Sequence, residues 1–474
     1  MSYLTRREFL LRASALGGGI GASSMFGALA AVPDTAAPLD IVVVGAGLAG
    51  LCAAYELENR GHRVTLLEAD QRHVGGRTRT LRFGDGLYGE AGAMRIPERH
   101  DITRRYVRDF GLTLRTFILS NPQAYYFLRG ERQRNVDLAK LRRLYAMRDD
   151  ERNKSSDEMW ADTVGKTVAG LSEQERKELT GETLTSARVR QLDQMSLQQI
   201  FESTGLSEEA VEFLTVTQGQ ETELATGATE TIREEFLEVW SKRFDEIVGG
   251  TDRLASAFAS RLRSKPKLGC EVVRLTQQPD RRRAAAIYRE RGVEKRAEGD
   301  FVLCTLPFPV LTRIVVEPEF SGPKWRAIRE LNYDSSTKVL VVCNRRFWEA
   351  DDGIFGGGTY TDLPTGTTYY PSDNAEAKDP RVSKGPGVML ASYSWGHAAR
   401  RLASLPHPER AAAVLRHLSR VHPQLRPGHR APDRELELGQ SPSQRRRIRM
   451  VHAGPAHRAV SIRDRPGRTH LFRR

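Results

Sequence analysis

The chain has 474 residues, 39% hydrophobic and 28% charged, enough for two or three domains around a sizeable core and the balance of a soluble protein. Its formal net charge of +13 would invite a nucleic-acid partner, but residues 426–474 hold 13 Arg, no Lys, two Asp and two Glu. That tail therefore carries +9, and the remaining +4 marks no nucleic-acid surface. Cys52, Cys270, Cys304 and Cys343 show neither C-x-x-C nor metal-ligand spacing, so they read as buried free thiols and no metal site is expected.

At the N-terminus, Thr5-Arg6-Arg7-Glu8-Phe9-Leu10 matches the twin-arginine export pattern. A short Gly- and Ala-rich apolar segment follows, with Ala28-Leu29-Ala30 as an A-x-A cleavage site. Residues 1–31 are expected to be a signal peptide read by the twin-arginine machinery, with the periplasm or exterior as destination. No other segment is long and apolar enough to span a membrane.

Asp40 to Glu68 is the stretch on which the rest depends. Ile41 to Val44 is a β-branched run suited to a buried parallel strand. Gly45, Gly47 and Gly50 form G-x-G-x-x-G: one glycine for the tight turn, one for close approach of a pyrophosphate, one for helix–strand packing. Leu51 to Arg60 reads as the helix, with Gly61 beyond its end. Arg63 to Leu67 reads as a second strand, ending at Glu68 about 20 residues beyond the glycines, where an acid can bond ribose hydroxyls.

His73 to Thr80 (HVGGRTRT) and Tyr88 to Pro97 (YGEAGAMRIP) come next. With these segments the chain resembles the flavin amine oxidase family, and within it the bacterial L-amino acid oxidases. The resemblance implies FAD as cofactor. Gly75, Gly76 and Arg77 would follow its pyrophosphate, Gly92, Ala93 and Met94 would pass its ring, and Arg95 would grip a substrate carboxylate. A solvated surface arginine is the plainer reading of Arg95.

Residues 98 to about 240 are expected to be mostly helical. Helical spacing covers Thr103–Phe110, Leu197–Ser203, Glu208–Leu214 and Thr231–Lys242, while the charged Arg148–Lys154 reads as a solvated face. Phe244 to Leu262 resembles the family's glycine turn and helix re-entering the FAD domain. Cys270 to Leu275 reads as a strand. There Val272 matches the valine whose backbone holds the adenine ring, and also suits ordinary strand core. Phe301 to Pro307 reads as another buried strand.

Lys338 opens the apolar run Val339 to Cys343. The family places a water-holding lysine there; the alternative is a strand-end lysine reaching solvent. Ile354–Tyr370 and Val388–His397 read as strands of an antiparallel sheet. Tyr393 matches a carboxylate-bonding tyrosine, or is a packed sheet aromatic. With Arg95 it would clamp an α-amino acid carboxylate.

The resemblance is expected to stop near Leu425. Arg445 to Met450 (RRRIRM), read one base later, can give AGAFAW, and neighbouring stretches give other family-like strings. Residues from about Arg426 are therefore expected to be an out-of-frame tail.

The expected architecture is α/β, with α+β character in the substrate domain: a discontinuous Rossmann-like FAD domain, an antiparallel-sheet substrate domain and a helical insert. The expected segments are signal peptide 1–31, FAD domain 38–97 and 241–318, helical region 98–240, substrate domain 319–425 and tail 426–474. The expected activity is FAD-dependent oxidation of L-α-amino acids by O2 to 2-oxo acids, ammonia and hydrogen peroxide. Monoamine or polyamine oxidase, tryptophan 2-monooxygenase and an inactive product of a frameshifted gene are the alternatives. A homodimer is left open.

Overall fold

The computed structural model describes residues 37–425, apart from 137, 182, 241, 242 and 279–282, together with 452 and 453. The expected signal segment 1–31 lies outside the described residues, as does the expected out-of-frame tail apart from those two positions. The chain divides into two compact units. One comprises the residues up to Thr78 with Asp252–Tyr333, and the other Arg79–Thr251 with Asp334 onward. Residues 79–97, 241–251 and 319–333 thus fall on the opposite side of the division from the expected boundaries.

The first unit is built on a parallel sheet ordered Phe301–Cys304, Asp40–Val44, Arg63–Leu67. The middle strand is buried along its apolar run, with Val43 at 0% exposure, as a strand covered on both faces must be. Helix Leu48–Asn59 links it to Arg63–Leu67. Arg60 closes that helix, and Gly61 follows at φ +85°. Buried Glu58 on this helix accepts the Arg263 and Ser264 amides at 2.6 and 3.0 Å. A second sheet runs Val293–Gly299, Arg283–Glu290, Cys270–Gln278, Val315–Glu317. Val42, Val44, Leu67, Val272 and Leu275 share one core.

The second unit carries a sheet ordered His452–Ala453, Ser336–Cys343, Gly387–Trp395, Thr367–Tyr369, Gly358–Thr361, Tyr125–Leu128, Glu131–Arg134. It is antiparallel except where Gly358–Thr361 meets Tyr125–Leu128 in parallel. Three of the unit's strands come from the region expected to be mostly helical: Leu114–Phe117, Tyr125–Leu128 and Glu131–Arg134. Tyr125–Leu128 is a fully buried aromatic run, too short for a helix and ended by a turn with Arg129 at φ +49° and Gly130 at φ +89°.

The remainder of that region is helical. Ser172, Ser186, Ser196 and Ser207 each cap a helix by accepting an amide of its first turn. Helix Ala228–Phe236 stops short of the expected Lys242, because Glu238 turns to φ +51°. Within the charged Arg148–Lys154 stretch, Glu151 is not solvated. It is 1% exposed and accepts from Ser207 N and Oγ at 2.7 and 2.6 Å. All four cysteines are free thiols, but only Cys270 and Cys343 are buried; Cys52 and Cys304 are half-buried.

Candidate active site

In the first unit, the strand–helix turn is shaped by its glycines. A Cβ on Gly50 would lie 1.8 Å from the Gly45 carbonyl oxygen, so helix and turn meet only because that atom is absent. A Cβ on Gly47 would meet nothing within 4 Å. There the backbone faces open space, and Gly75 bridges to Gly47 from the other side. Gly76 is exposed beside them.

Helix Leu48–Asn59 starts at Gly47 with no side-chain cap and no acid in its first turn, leaving its leading amides for an anion. Arg77 is exposed and makes no ion pair among the described residues. Glu68 is held at the turn by accepting Ala46 N at 2.7 Å and Asp70 N at 2.8 Å, one on each oxygen. Each oxygen keeps a lone pair for a hydroxyl. Open glycine backbone, a free cation and a fixed carboxylate fit the pyrophosphate and ribose of a dinucleotide. Val272 is 9% exposed and packs in the core beside a bulge in its strand.

In the second unit, Lys338 and Tyr393 are cross-strand partners, and the segment after strand Leu87–Glu90 lies against them. Lys338 is 5% exposed, inside strand Ser336–Cys343 rather than at its end. The solvent-reaching alternative is thereby excluded. Its Nζ donates to the Gly92 carbonyl at 2.6 Å and stands 4.7 Å from the centre of the Tyr393 ring. Burial first, then the Arg95 charge, brings the Lys338 ammonium down to about 7. Ala93 is exposed, while Met94 is buried with Phe117, Phe244, Leu340 and Tyr369.

Arg95 is half-buried, not solvated. Its guanidinium carbon lies 5.0 Å from the Trp240 ring centre, 5.7 Å from those of Phe244 and Tyr369, and 5.9 Å from that of Phe117. Among the described residues it has no carboxylate partner. The Tyr393 ring lies 6.4 Å from Tyr369, and burial pushes its phenol up to about 12, so it stays a hydrogen-bond donor at neutral pH.

Sequence reasoning missed the aromatic box and one acid. Phe117, the Trp240–Phe244 pair and Tyr369 come from three distant stretches of the chain and carry no motif. Glu90 sits inside the quoted YGEAGAMRIP string. Burial raises its carboxyl to about 7 although it accepts three hydrogen bonds, from Thr80 Oγ1, Thr251 N and Thr251 Oγ1. An acid directly ahead of the apolar segment Ala91–Met94 was the signal that could have found it.

The sequence model described as flavin containing amine oxidoreductase matches residues 48–448, past the Leu425 limit expected above. An L-amino-acid oxidase of Gloydius blomhoffii is 33% identical over 393 residues, covering 82% of this chain and 74% of its own. An L-amino-acid oxidase of Vipera ammodytes ammodytes is 34% identical over 394 residues, covering 82% and 77%. Among solved structures, a putrescine oxidase bound to putrescine superposes with a TM-score of 0.62 at 20% identity, covering 81% of this chain and 82% of its own, a likeness of fold.

Proposed function

The chain belongs to the flavin containing amine oxidoreductase family, and we propose that it is an FAD-dependent oxidase of L-α-amino acids. The observation that carries this reading is Arg95, a half-buried guanidinium among four aromatic rings with no carboxylate partner among the described residues. Cation–π attraction contributes roughly 0.5–2 kcal/mol per ring, whereas withdrawing an ion from water costs several. An incoming carboxylate offsets that cost with charge-assisted hydrogen bonds. A plain amine brings no such group.

Gly47, Gly76, Arg77 and Glu68 would hold the dinucleotide, and Val272 would lend backbone to its adenine. FAD, when bound, would supply the two-electron acceptor for oxidation of the substrate Cα–N bond, with O2 as the final oxidant and hydrogen peroxide as its product. The imino acid left behind hydrolyses to a 2-oxo acid and ammonia. Arg95 and the Tyr393 hydroxyl orient the carboxylate. Lys338, with one N–H on Gly92, keeps its other valences for a water. The Gloydius and Vipera relatives bear the name L-amino-acid oxidase, which supports the same reading.

The test is peroxide release by FAD-loaded protein from a panel of L-amino acids and from the amines lacking their carboxylates. Turnover of the acids with 2-oxo acid formation is expected. Turnover of the amines alone would establish a monoamine or polyamine oxidase, and an amide product with little peroxide a monooxygenase.

We propose further that residues 1–31 direct twin-arginine export. Arg6→Lys with Arg7→Lys should hold the protein in the cytoplasm; unchanged export overturns this. We also propose that the tail from about Arg426 is out of frame. The recovered AGAFAW string supports this, and the family match reaching residue 448 counts against it. A DNA read across codons 421–474 showing an insertion or deletion near codon 425 supports it. A coloured, active chain bearing the written tail overturns it.

A further inference from the structure

We propose that Glu90 is a positioning residue of the amine-oxidising centre. Its carboxyl group pins the strand end that presents the Gly92 carbonyl to Lys338, and its charge governs the charge Lys338 carries. The proposal rests on the oxidase reading only in giving Lys338 a part in oxidation.

The pin is built from three pieces of chain. Thr80 and Glu90 face each other across a two-stranded ribbon, and Thr80 Oγ1 donates to Glu90 Oε2 at 2.9 Å. Thr251 N and Oγ1 donate to Oε1 at 2.7 and 3.2 Å. Thr80 and Thr251 are 7% and 6% exposed. Gly250 permits the approach: a Cβ there would lie 2.5 Å from Thr80 Cγ2. The Tyr88 hydroxyl accepts Gly249 N at 3.1 Å one strand-step earlier on the same face. Two residues past Glu90 the Gly92 carbonyl accepts a hydrogen bond from Lys338 Nζ at 2.6 Å, and three further on Arg95 enters its aromatic box. A carboxyl that sutures Thr80, Thr251 and its own strand therefore fixes where both groups begin.

Hydrogen bonding alone does not require an acid there. A glutamine could accept from Thr251 and donate to Thr80, so the pin would survive while the charge vanished. What an acid adds is its field. Lys338 is faced by Arg95 from the segment after Gly92, by Glu90 from the ribbon and by Tyr393 from the neighbouring strand. Burial and Arg95 both favour the neutral amine, and Glu90 opposes them. Lys338 in turn favours the Glu90 carboxylate, against burial. The two groups compete for a proton near neutrality. A substrate carboxylate settling on Arg95 would cancel part of the Arg95 field and tip that proton toward Lys338.

FAD-loaded protein grown on lysine labelled with 13C at Cε reports the Lys338 titration directly, with the signal assigned by its loss in Lys338→Met. In Glu90→Gln the Lys338 midpoint should fall by about one pH unit, with the thermal midpoint and flavin content kept. The Lys338-dependent limb of anaerobic flavin reduction should move with it. Glu90→Ala, which cuts the pin as well, should also lower the thermal midpoint. An unmoved Lys338 midpoint in Glu90→Gln overturns the proposal. If no amino acid is oxidised at all, the oxidase reading fails, but the shift of the carbon signal still decides the Glu90–Lys338 coupling.

Discussion

The glycine turn of the first unit and the Lys338–Arg95 cluster of the second solve opposite problems. The turn spans one short stretch, Gly45 to Arg77, and works through backbone: missing side chains, free amides and one carboxylate tied to amides. The cluster collects side chains from Glu90 to Tyr393 and works through burial, with a lysine and an acid both displaced toward neutrality. A site made of backbone is written locally, whereas a site made of field is written across the fold.

The largest effect should separate glycines that look equivalent in the motif. Gly50→Val places atoms into the Gly45 carbonyl, and soluble, flavin-loaded protein should be lost. Gly47→Ala has room, so the thermal midpoint without flavin should be unchanged while flavin affinity falls, as read by titration of the yellow chromophore. Equal damage from both would break the view that Gly47 serves a ligand.

Next in size is Arg95→Ala. Truncating one side of a buried, hydrogen-bonded charge pair costs about 2–5 kcal/mol, or roughly 30- to several-thousand-fold in kcat/KM. That loss should appear for L-amino acids in the peroxide assay and not for amines.

A smaller effect tests whether every long-range polar cluster is a site. His422, 0% exposed, bonds Tyr370 at 2.7 Å and Asp352 at 3.0 Å, and Tyr125 donates to the same Asp352. Burial holds its imidazole below the usual value. The folded chain therefore binds this proton less readily than the unfolded chain. The stability this residue leaves intact above about pH 6.5 should decline as pH falls below it, by at most about 1.4 kcal/mol per pH unit. The slope of urea stability between pH 7 and 5 should flatten in His422→Gln, with kcat unchanged. A changed kcat would recast this cluster as part of the chemistry. The smallest effect is Ser172→Ala, which deletes an exposed cap and should cost about 1 kcal/mol in the same urea measurement.

The same contrast explains what could be read from the residues. Strand, glycines, helix and Glu68 were legible because each follows from local sterics, and Leu197–Ser203 was legible through its helical apolar spacing. Lys338, Arg95 and Tyr393 came only through family resemblance, since nothing nearby reveals that a lysine just ahead of an apolar run will be 5% exposed. Tyr125–Leu128 was missed because four apolar residues carry no period. Glu151 was missed because its partner, Ser207, lies far along the chain. Trp240 and Tyr369 became visible as walls only once the sheet and the segment before Phe244 were in place.

The discontinuity of the first unit also sets a clock. Gly45 owes its surroundings to Thr305, whose hydroxyl bonds the Gly45 carbonyl at 3.1 Å across 260 positions of sequence, and Asp40–Val44 has Phe301–Cys304 as a flanking strand. At roughly 5–20 residues per second of synthesis, the glycine turn leaves the ribosome about 10–50 seconds before the strand that completes its sheet. During that interval the β-branched run Ile41–Val44 has one open edge, and the second unit's first stretch emerges in between. On the proposed reading flavin capture would therefore be a late event in the life of each new chain, and the nascent protein would need shelter longest at the segment proposed to bind the nucleotide.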